Sequence, residues 1–257
     1  MREILESVAA GNMSVAEAEA ALSGYATSEA GRFDAAREQR RGVPEAVLGD
    51  GKTPGEVATL AATAVETAGR ALVTRTSEAQ VAAVRERLAA DHPGADVRHR
   101  ERANVLAAHA PDFEPPDVAA TVGVVSAGTS DAVPAGEAVV LAEEMGATVE
   151  EIHDVGVAAL ARVLDHVEQL RAVDVLVVAA GREGALPTLV AGLVDTPVIG
   201  LPVSNGYGHA GEGEAALSGM LQSCTVLSTV NVDAGFVAGA QAGLIARAVA
   251  SGSETTE

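Results

Sequence analysis

Lysine occurs once, at Lys52, cysteine once, at Cys224, and tryptophan not at all in this chain of 257 residues. Each scarcity excludes something. A lone thiol can neither staple the fold with an internal disulfide nor build a cysteine-rich zinc site. With 17 basic residues against 36 acidic ones, a formal net charge of −19, the chain lacks the basic patch that nucleic-acid partners require. No apolar run reaches the roughly 18–20 residues of a membrane span. Val173–Ala180, a continuous apolar stretch apart from Asp174, has the length of a core strand. The first residues, Met1 to Glu6, are amphipathic and charged rather than leader-like, so a soluble cytoplasmic protein with no membrane partner is expected.

What is present is arginine, acid and small apolar volume. The other basic residues are all arginine, and the core must be filled by Ala, Val and Leu, because two tyrosines and three phenylalanines are the only aromatics. An acidic, lysine-poor surface over a small-residue core suits concentrated salt, where screening removes most self-repulsion. A halophilic protein is the expectation. An anionic ligand would need local Arg, Lys and backbone amides to overcome that field.

The chain reads as two halves. Residues 1–30 predict short helices, with Ser14 as a cap, and a basic segment through Arg41 ends at Gly42 and Pro44. Ala46–Leu48 predicts a strand, Thr53-Pro54 with Glu56 opens a helix to about Gly69, and Ser77 caps another to Ala90. A strand begins at Ala71 between those two helices. Residues 91–117, with Pro93, Pro111, Pro115 and Pro116, read as irregular structure and a linker. This makes residues 1–117 a smaller α+β domain and linker. From Val118 strands and helices alternate to residue 250: strands 118–126, 148–153, 173–179, 197–203 and 225–230, with helices 134–145, 156–171, 183–193, 214–222 and 234–250. That alternation implies an α/β, doubly wound parallel sheet of flavodoxin-like type covered on both faces. Ser251–Glu257 reads as a disordered tail.

In such sheets ligands bind at the carboxyl ends of the strands. Three loops fall there. Ser126, Gly128, Thr129, Ser130 and Asp131 offer backbone amides and hydroxyls to a phosphate or carboxylate, although Ser130 or Asp131 would equally serve as a helix cap. Gly181-Arg182-Glu183-Gly184 places a carboxylate between two glycines, suited to a general base, or merely to the helix dipole. Ser204-Asn-Gly-Tyr-Gly-His209 is a long glycine-rich loop of the kind that binds ligands rather than packs. Cys224 admits three readings: a buried hydrophobe, an incidental thiol or a nucleophile. It follows a helix, so the crossover carries it toward the opposite end of the sheet from Glu183.

The order of motifs resembles a known family. Residues 120–248 resemble the aminoimidazole-ribonucleotide (AIR) carboxylase/mutase fold through Ser-Ala-Gly-Thr-Ser-Asp, Ala-Ala-Gly-Arg-Glu-Gly-Ala-Leu-Pro and Pro-Val-Ile-Gly-Leu-Pro-Val-Ser. Nearly the whole chain is similar to the LarB family, pyridinium-3,5-biscarboxylic acid mononucleotide synthase, the first enzyme of nickel-pincer nucleotide synthesis for lactate racemase maturation. The carrying segments are Asp34…Arg37…Arg41-Gly-Val-Pro-Glu, Gly51-Lys-Thr-Pro, Asp154-Val-Gly-Val-Ala, Gly206-Tyr-Gly, Met220-Leu-Gln-Ser-Cys and Asn231-Val-Asp-Ala-Gly-Phe.

The resemblance implies an enzyme that carboxylates nicotinic acid adenine dinucleotide with CO2 and hydrolyses its phosphoanhydride, releasing AMP. Cys224 would be the nucleophile that adds to the pyridinium ring, and Glu183 the base. Substrate contacts would come from Ser126, Gly128, Thr129, Ser130, Asp131, Gly181, Arg182, Ser204, Gly206, Tyr207, Gly208, Asn231 and Asp233. Arg37, Arg41, Lys52 and Arg75 would meet the dinucleotide's anionic groups or else pair with the abundant carboxylates. The resemblance further implies a homo-octamer with sites between subunits and no tightly bound cofactor, and it leaves assistance by a divalent metal such as Mg open. The alternatives are an AIR mutase/carboxylase of purine synthesis and a non-catalytic nucleotide-binding protein. Leu160-Ala161-Arg162 stands where the mutases carry Ala-His-Arg, which speaks against the mutase.

Overall fold

A computed structural model describes residues 1–206 and 208–253, in two compact units, Met1–Glu114 and Pro115–Glu257. In the first unit α1 (Arg2–Ala9) is followed by α2 (Val15–Ser23), which is opened by a capping box between Ser14 and Glu17 and closed by left-handed Gly24. A small hairpin, β1 (Ala26–Ser28) and β2 (Gly31–Phe33), and a short α3 (Arg37–Arg41) come next. Then β3 (Val47–Leu48), α4 (Pro54–Ala68), β4 (Arg70–Thr74), α5 (Glu78–Asp91), β5 (Asp96–Arg100) and β6 (Val105–His109) build a four-stranded sheet of order β3-β4-β6-β5. Capping boxes at Thr53/Glu56 and Ser77/Gln80 fix the starts of α4 and α5. Val57, Ala61, Ala64, Val84 and Leu88 from these helices meet Ala71, Val73, Leu106 and Ala108 of the sheet in one core.

Residues 91–117 are therefore not irregular throughout, as their prolines suggested. Pro93 and Pro111 flank an antiparallel pair, β5 with β6, instead of interrupting it. The β5 sequence Asp-Val-Arg-His-Arg hides the strand, because an edge strand buries one face at most and here only Val97 supplies an apolar side chain.

The second unit begins at β7 (Val118–Ser126) and continues through α6 (Ala132–Glu144), β8 (Ala147–Ile152), α7 (Leu160–Leu164), α8 (Val167–Arg171) and β9 (Val175–Ala180). It is completed by α9 (Ala185–Ala191), β10 (Val198–Pro202), α10 (Glu214–Leu221), β11 (Ser228–Thr229) and α11 (Gly235–Ser253). The five strands are parallel in the order β11-β10-β9-β7-β8, the flavodoxin-like winding. One face packs on α6 and α11 through Val122, Val124, Val177, Leu201 and a run of alanines. The opposite face packs on Val163, Leu170, Leu186, Val190 and Met220. Alanine and glycine let α6 and α11 approach closely: a Cβ on Gly239 would lie 2.6 Å from the Ala138 carbonyl oxygen.

Two expectations need correction here. The single helix over 156–171 is a 3-10 turn, Val157–Ala159, followed by α7 and α8, with the break at Asp165–His166. Ser251, Gly252 and Ser253 belong to α11 rather than to a tail; residues 254–257 lie outside the described residues. No helix among the described residues is long and apolar enough to cross a membrane.

Candidate active site

The strand ends of the second unit stand level, which is what makes a site. Ser126 of β7 is paired with Ala179 of β9, and Pro202 of β10 with Ala180. The chain leaves β7 toward β8 on one side and returns through β9 to β10 on the other, so the β7/β9 boundary is the topological switch point. A cavity of about 440 Å³ opens there. The loop after β7 lines it with Ala127, Gly128, Ser130 and Asp131, and the loop after β8 with Gly156, Val157 and Ala158. The loop after β9 contributes Ala180 to Glu183 and then Ala185 and Leu186, and the loop after β10 contributes Asn205 and Gly206. Val157, Ala158, Ala180 and Leu186 give the cavity an apolar part of its lining beside the polar groups.

Asp131 is 3% exposed. Its side chain does not cap α6; it turns back to accept the Gly128 N–H at 2.9 Å. Burial raises its carboxyl above the ordinary aspartate value, and hydrogen bonds from Gly128, Ala127 and Ser130 oppose this only in part. A buried carboxylate in this loop disfavours a phosphate beside it and favours a hydroxyl donor. Asn205 donates from its side chain to the Ser130 carbonyl, tying the loop after β10 to the loop after β7.

Glu183 stands one residue ahead of left-handed Gly184, the N-cap of α9, so it precedes the first turn rather than belonging to it. Its side chain is exposed at the cavity, between Arg182 (φ 50°) and Gly184 (φ 65°). Among the described residues lining the cavity, Arg182 is the one cation, and Asp131 and Glu183 are the carboxylates.

Other expected residues fall elsewhere. Ser126 is buried beneath the loop, its Oγ 2.9 Å from His153 Nδ1, while His153 Nε2 lies 3.2 Å from Glu151. Asp233 accepts the Ser204 N–H at 2.9 Å, so its carboxylate holds the loop rather than facing the cavity. Thr129 and Gly208 are exposed beyond the cavity wall, Asn231 accepts the N–H of Val232, and Tyr207 lies outside the described residues. In the first unit Arg37 pairs with Glu45 at 3.1 Å, Arg75 with Asp50 at 3.5 Å, and Lys52 donates to the Leu48 carbonyl at 2.7 Å. Arg41 closes α3 with its surface exposed. Arg37 and Arg75 thus take the carboxylate pairing left open above. Among the described residues, no group of three or more His, Cys, Asp or Glu is placed to hold a metal ion.

Cys224 is exposed, in the turn after α10, and is not among the residues that line the cavity. The neighbouring Thr225 Oγ1 is 3.5 Å from the carbonyl of Thr188, the middle residue of α9. That helix begins beside the cavity and is about 10 Å long at 1.5 Å per residue.

Residues 25–110 match a LarB/PurE-like N-terminal domain, and residues 121–256 match the AIR carboxylase domain. The chain belongs to the AIR carboxylase family, in its LarB-type form. An uncharacterized protein of Methanocaldococcus jannaschii is 36% identical over 221 residues, covering 84% of each chain. Family membership makes this LarB-type chain a carboxylase/mutase-type enzyme, and it accounts for the cavity's position at the switch point of the AIR carboxylase domain. Sequence reasoning missed Gly156, Val157, Ala158 and Asn205 as lining residues. The segment Asp154-Val-Gly-Val-Ala was the available signal for the first three. Asn205 lay inside the loop singled out, and only its bond to Ser130 distinguishes it.

Proposed function

We propose that this protein carboxylates C5 of the pyridinium ring of nicotinic acid adenine dinucleotide and cleaves the phosphoanhydride, yielding pyridinium-3,5-biscarboxylic acid mononucleotide and AMP. The observation that carries this reading is the union, in one chain, of a LarB/PurE-like N-terminal domain with an AIR carboxylase domain that bears an exposed cysteine.

The chemistry requires both an adding group and a base. A pyridinium carbon cannot attack CO2 while the ring is electron-poor. Addition of the Cys224 thiolate at C4 places an electron pair in an enamine whose C5 is nucleophilic. C5 then bonds to CO2, Glu183 takes the C5 proton, and the ring recovers aromaticity as sulfur departs with its electron pair. The Asp131 carboxylate suits a ribose hydroxyl, Arg182 an anionic group of the nucleotide, and the Val157–Leu186 side the planar ring. Water completes the hydrolysis of the phosphoanhydride.

Cys224 is not part of the cavity lining, and the reading assigns the thiol to a neighbouring copy, in keeping with an octamer whose sites are shared. Leu221 and Val226, 68% and 94% exposed, flank Cys224 with apolar surface that such a contact would cover. The product feeds nickel-pincer cofactor synthesis in a saline cytoplasm.

The test is incubation with nicotinic acid adenine dinucleotide and isotopically labelled bicarbonate in high salt, followed by mass spectrometry. Labelled dicarboxylated mononucleotide together with AMP is expected. Turnover of aminoimidazole ribonucleotide without labelled pyridinium product would select the mutase reading, and dinucleotide binding without turnover would select a binding protein.

A further inference from the structure

We infer that Gly219, on α10 and outside the cavity wall, is a positioning residue that sets Glu183 by direct backbone contact. A Cβ on Gly219 would stand 2.3 Å from the carbonyl oxygen of Glu183. The reverse contact lies one turn earlier on α10, where a Cβ on Gly184 would stand 2.4 Å from the carbonyl oxygen of Ala216. Both obstacles are main-chain atoms, which cannot swing aside as a side-chain tip can. The Glu183–Gly184 turn and α10 are therefore interlocked, each occupying space that only glycine leaves open.

The helix has little room to yield. Ala216 and Met220 are buried, and Met220 Sδ lies 3.0 Å from where a Cβ on Gly200 of β10 would be. The turn is also held from its other side. Gly184 N–H donates to the Gly181 carbonyl at 3.0 Å, and a Cβ on Gly206 would stand 2.9 Å from the Arg182 nitrogen. The main chain of Glu183 is thus clamped between α10 and the loop after β10, while its carboxylate remains exposed and able to reach a substrate. That division of labour is what a base needs: a fixed origin and a mobile tip. Moving the contact out to an ordinary 3.4 Å would displace the turn by about 1 Å, enough to lower a proton transfer about a hundredfold.

The role assigned to Glu183 rests on the proposed carboxylation; the interlock with Gly219 does not. Hydrogen exchange on the wild-type protein tests the interlock first. The Gly184 amide and the amides of α10 should exchange as one unit, with protection within about threefold. A Gly184 amide exchanging independently of α10 overturns the inference, whatever any variant does. Gly219→Ala should then raise exchange across 181–186 by about tenfold or more, with exposed Ser218→Ala on the same helix as the control that leaves it unchanged. In the carboxylation assay Gly219→Ala should lose about tenfold or more in kcat with KM within about twofold. Wild-type carboxylation that persists undiminished in Gly219→Ala rejects the positioning. Raised exchange in the variant, with no carboxylation by the wild type, rejects the proposed reaction and retains the interlock.

Discussion

The carboxylate of Asp233 accepts the backbone N–H of Ser204 at 2.9 Å, and the Asp233 N–H donates in turn to the Pro202 carbonyl at 2.9 Å. This pair of bonds fastens the loop that carries Asn205 and Gly206 over the cavity. Asp233 holds a left-handed backbone, φ 53°, which Asn tolerates better than Ala. Asp233→Ala should raise KM for the dinucleotide by about tenfold with kcat within about threefold, and Asp233→Asn, which keeps an acceptor, should stay near wild type. Steady-state kinetics on both variants checks this; equal losses would instead mark a direct charge contact with ligand.

Asp131 makes a prediction about pH. Its carboxyl is raised in the folded protein by burial. The folded state therefore binds the proton more tightly than the unfolded chain, a contribution present at low pH and lost as pH rises from the unfolded value through the folded one. Asp131→Asn keeps the acceptor for Gly128 without the ionisation. The variant's Tm relative to wild type should increase between pH 4 and pH 7, by roughly a few degrees, in thermal melts. A wild-type advantage that grows over the same range would contradict the burial account.

Cys224 and Glu183 separate folding from chemistry. Both side chains are exposed in one chain, so Cys224→Ala and Glu183→Gln should each leave urea stability of the isolated subunit within about 0.5 kcal/mol. Carboxylation should fall about a thousandfold or more in each. Mixing the two inactive variants should restore part of the activity if one copy supplies the thiol and another the base. Undiminished carboxylation by Cys224→Ala would exclude the thiol mechanism.

In the first unit, Arg70 is 3% exposed and donates to Glu38 at 2.6 Å, with its guanidinium 5.2 Å from the Phe113 ring centre. Removing this acceptor weakens the satisfaction of a buried charge. Glu38 is itself partly solvated, so Glu38→Ala should lower unfolding free energy by about 1–2 kcal/mol in urea titration. Arg70→Ala should do more, since it also empties packed volume.

Salt provides the fifth test. At a formal net charge of −19, self-repulsion opposes compactness, and the screening length falls from about 10 Å at 0.1 M salt to about 3 Å at 1 M. The Tm should climb by several degrees, on the order of 5 °C or more, between those concentrations of KCl. A flat profile would remove the halophilic reading.

Much of the fold could be read before the structure. The strands 118–126 and 173–179 are largely apolar runs, buried on both faces over 122–126 and 175–179, and Ser14, Thr53 and Ser77 announce helices by the same spacing of a hydroxyl cap to Glu or Gln three residues on. The β5–β6 pair was hidden because an exposed edge strand has no apolar alternation to display. The helix at 156–171 looked unbroken because no glycine or proline marks Asp165–His166. The site divides in the same way. Glu183 and Asp131 were visible as acids among glycines at strand ends, whereas the duties of Asp233, Ser126 and Asn205 depend on residues 29, 27 and 75 positions distant.

Local pattern thus determined the alternating elements, the strand-end loops, the acidic surface and the family resemblance, since each is a matter of near neighbours and periodicity. Tertiary structure decided which loops meet at the switch point, which carboxylates face the cavity and which serve as struts. It also left Cys224 out of the cavity lining and set Gly219 against Glu183. Those facts arise from strand order and backbone clearance between segments far apart in the chain, quantities that no short stretch of sequence contains.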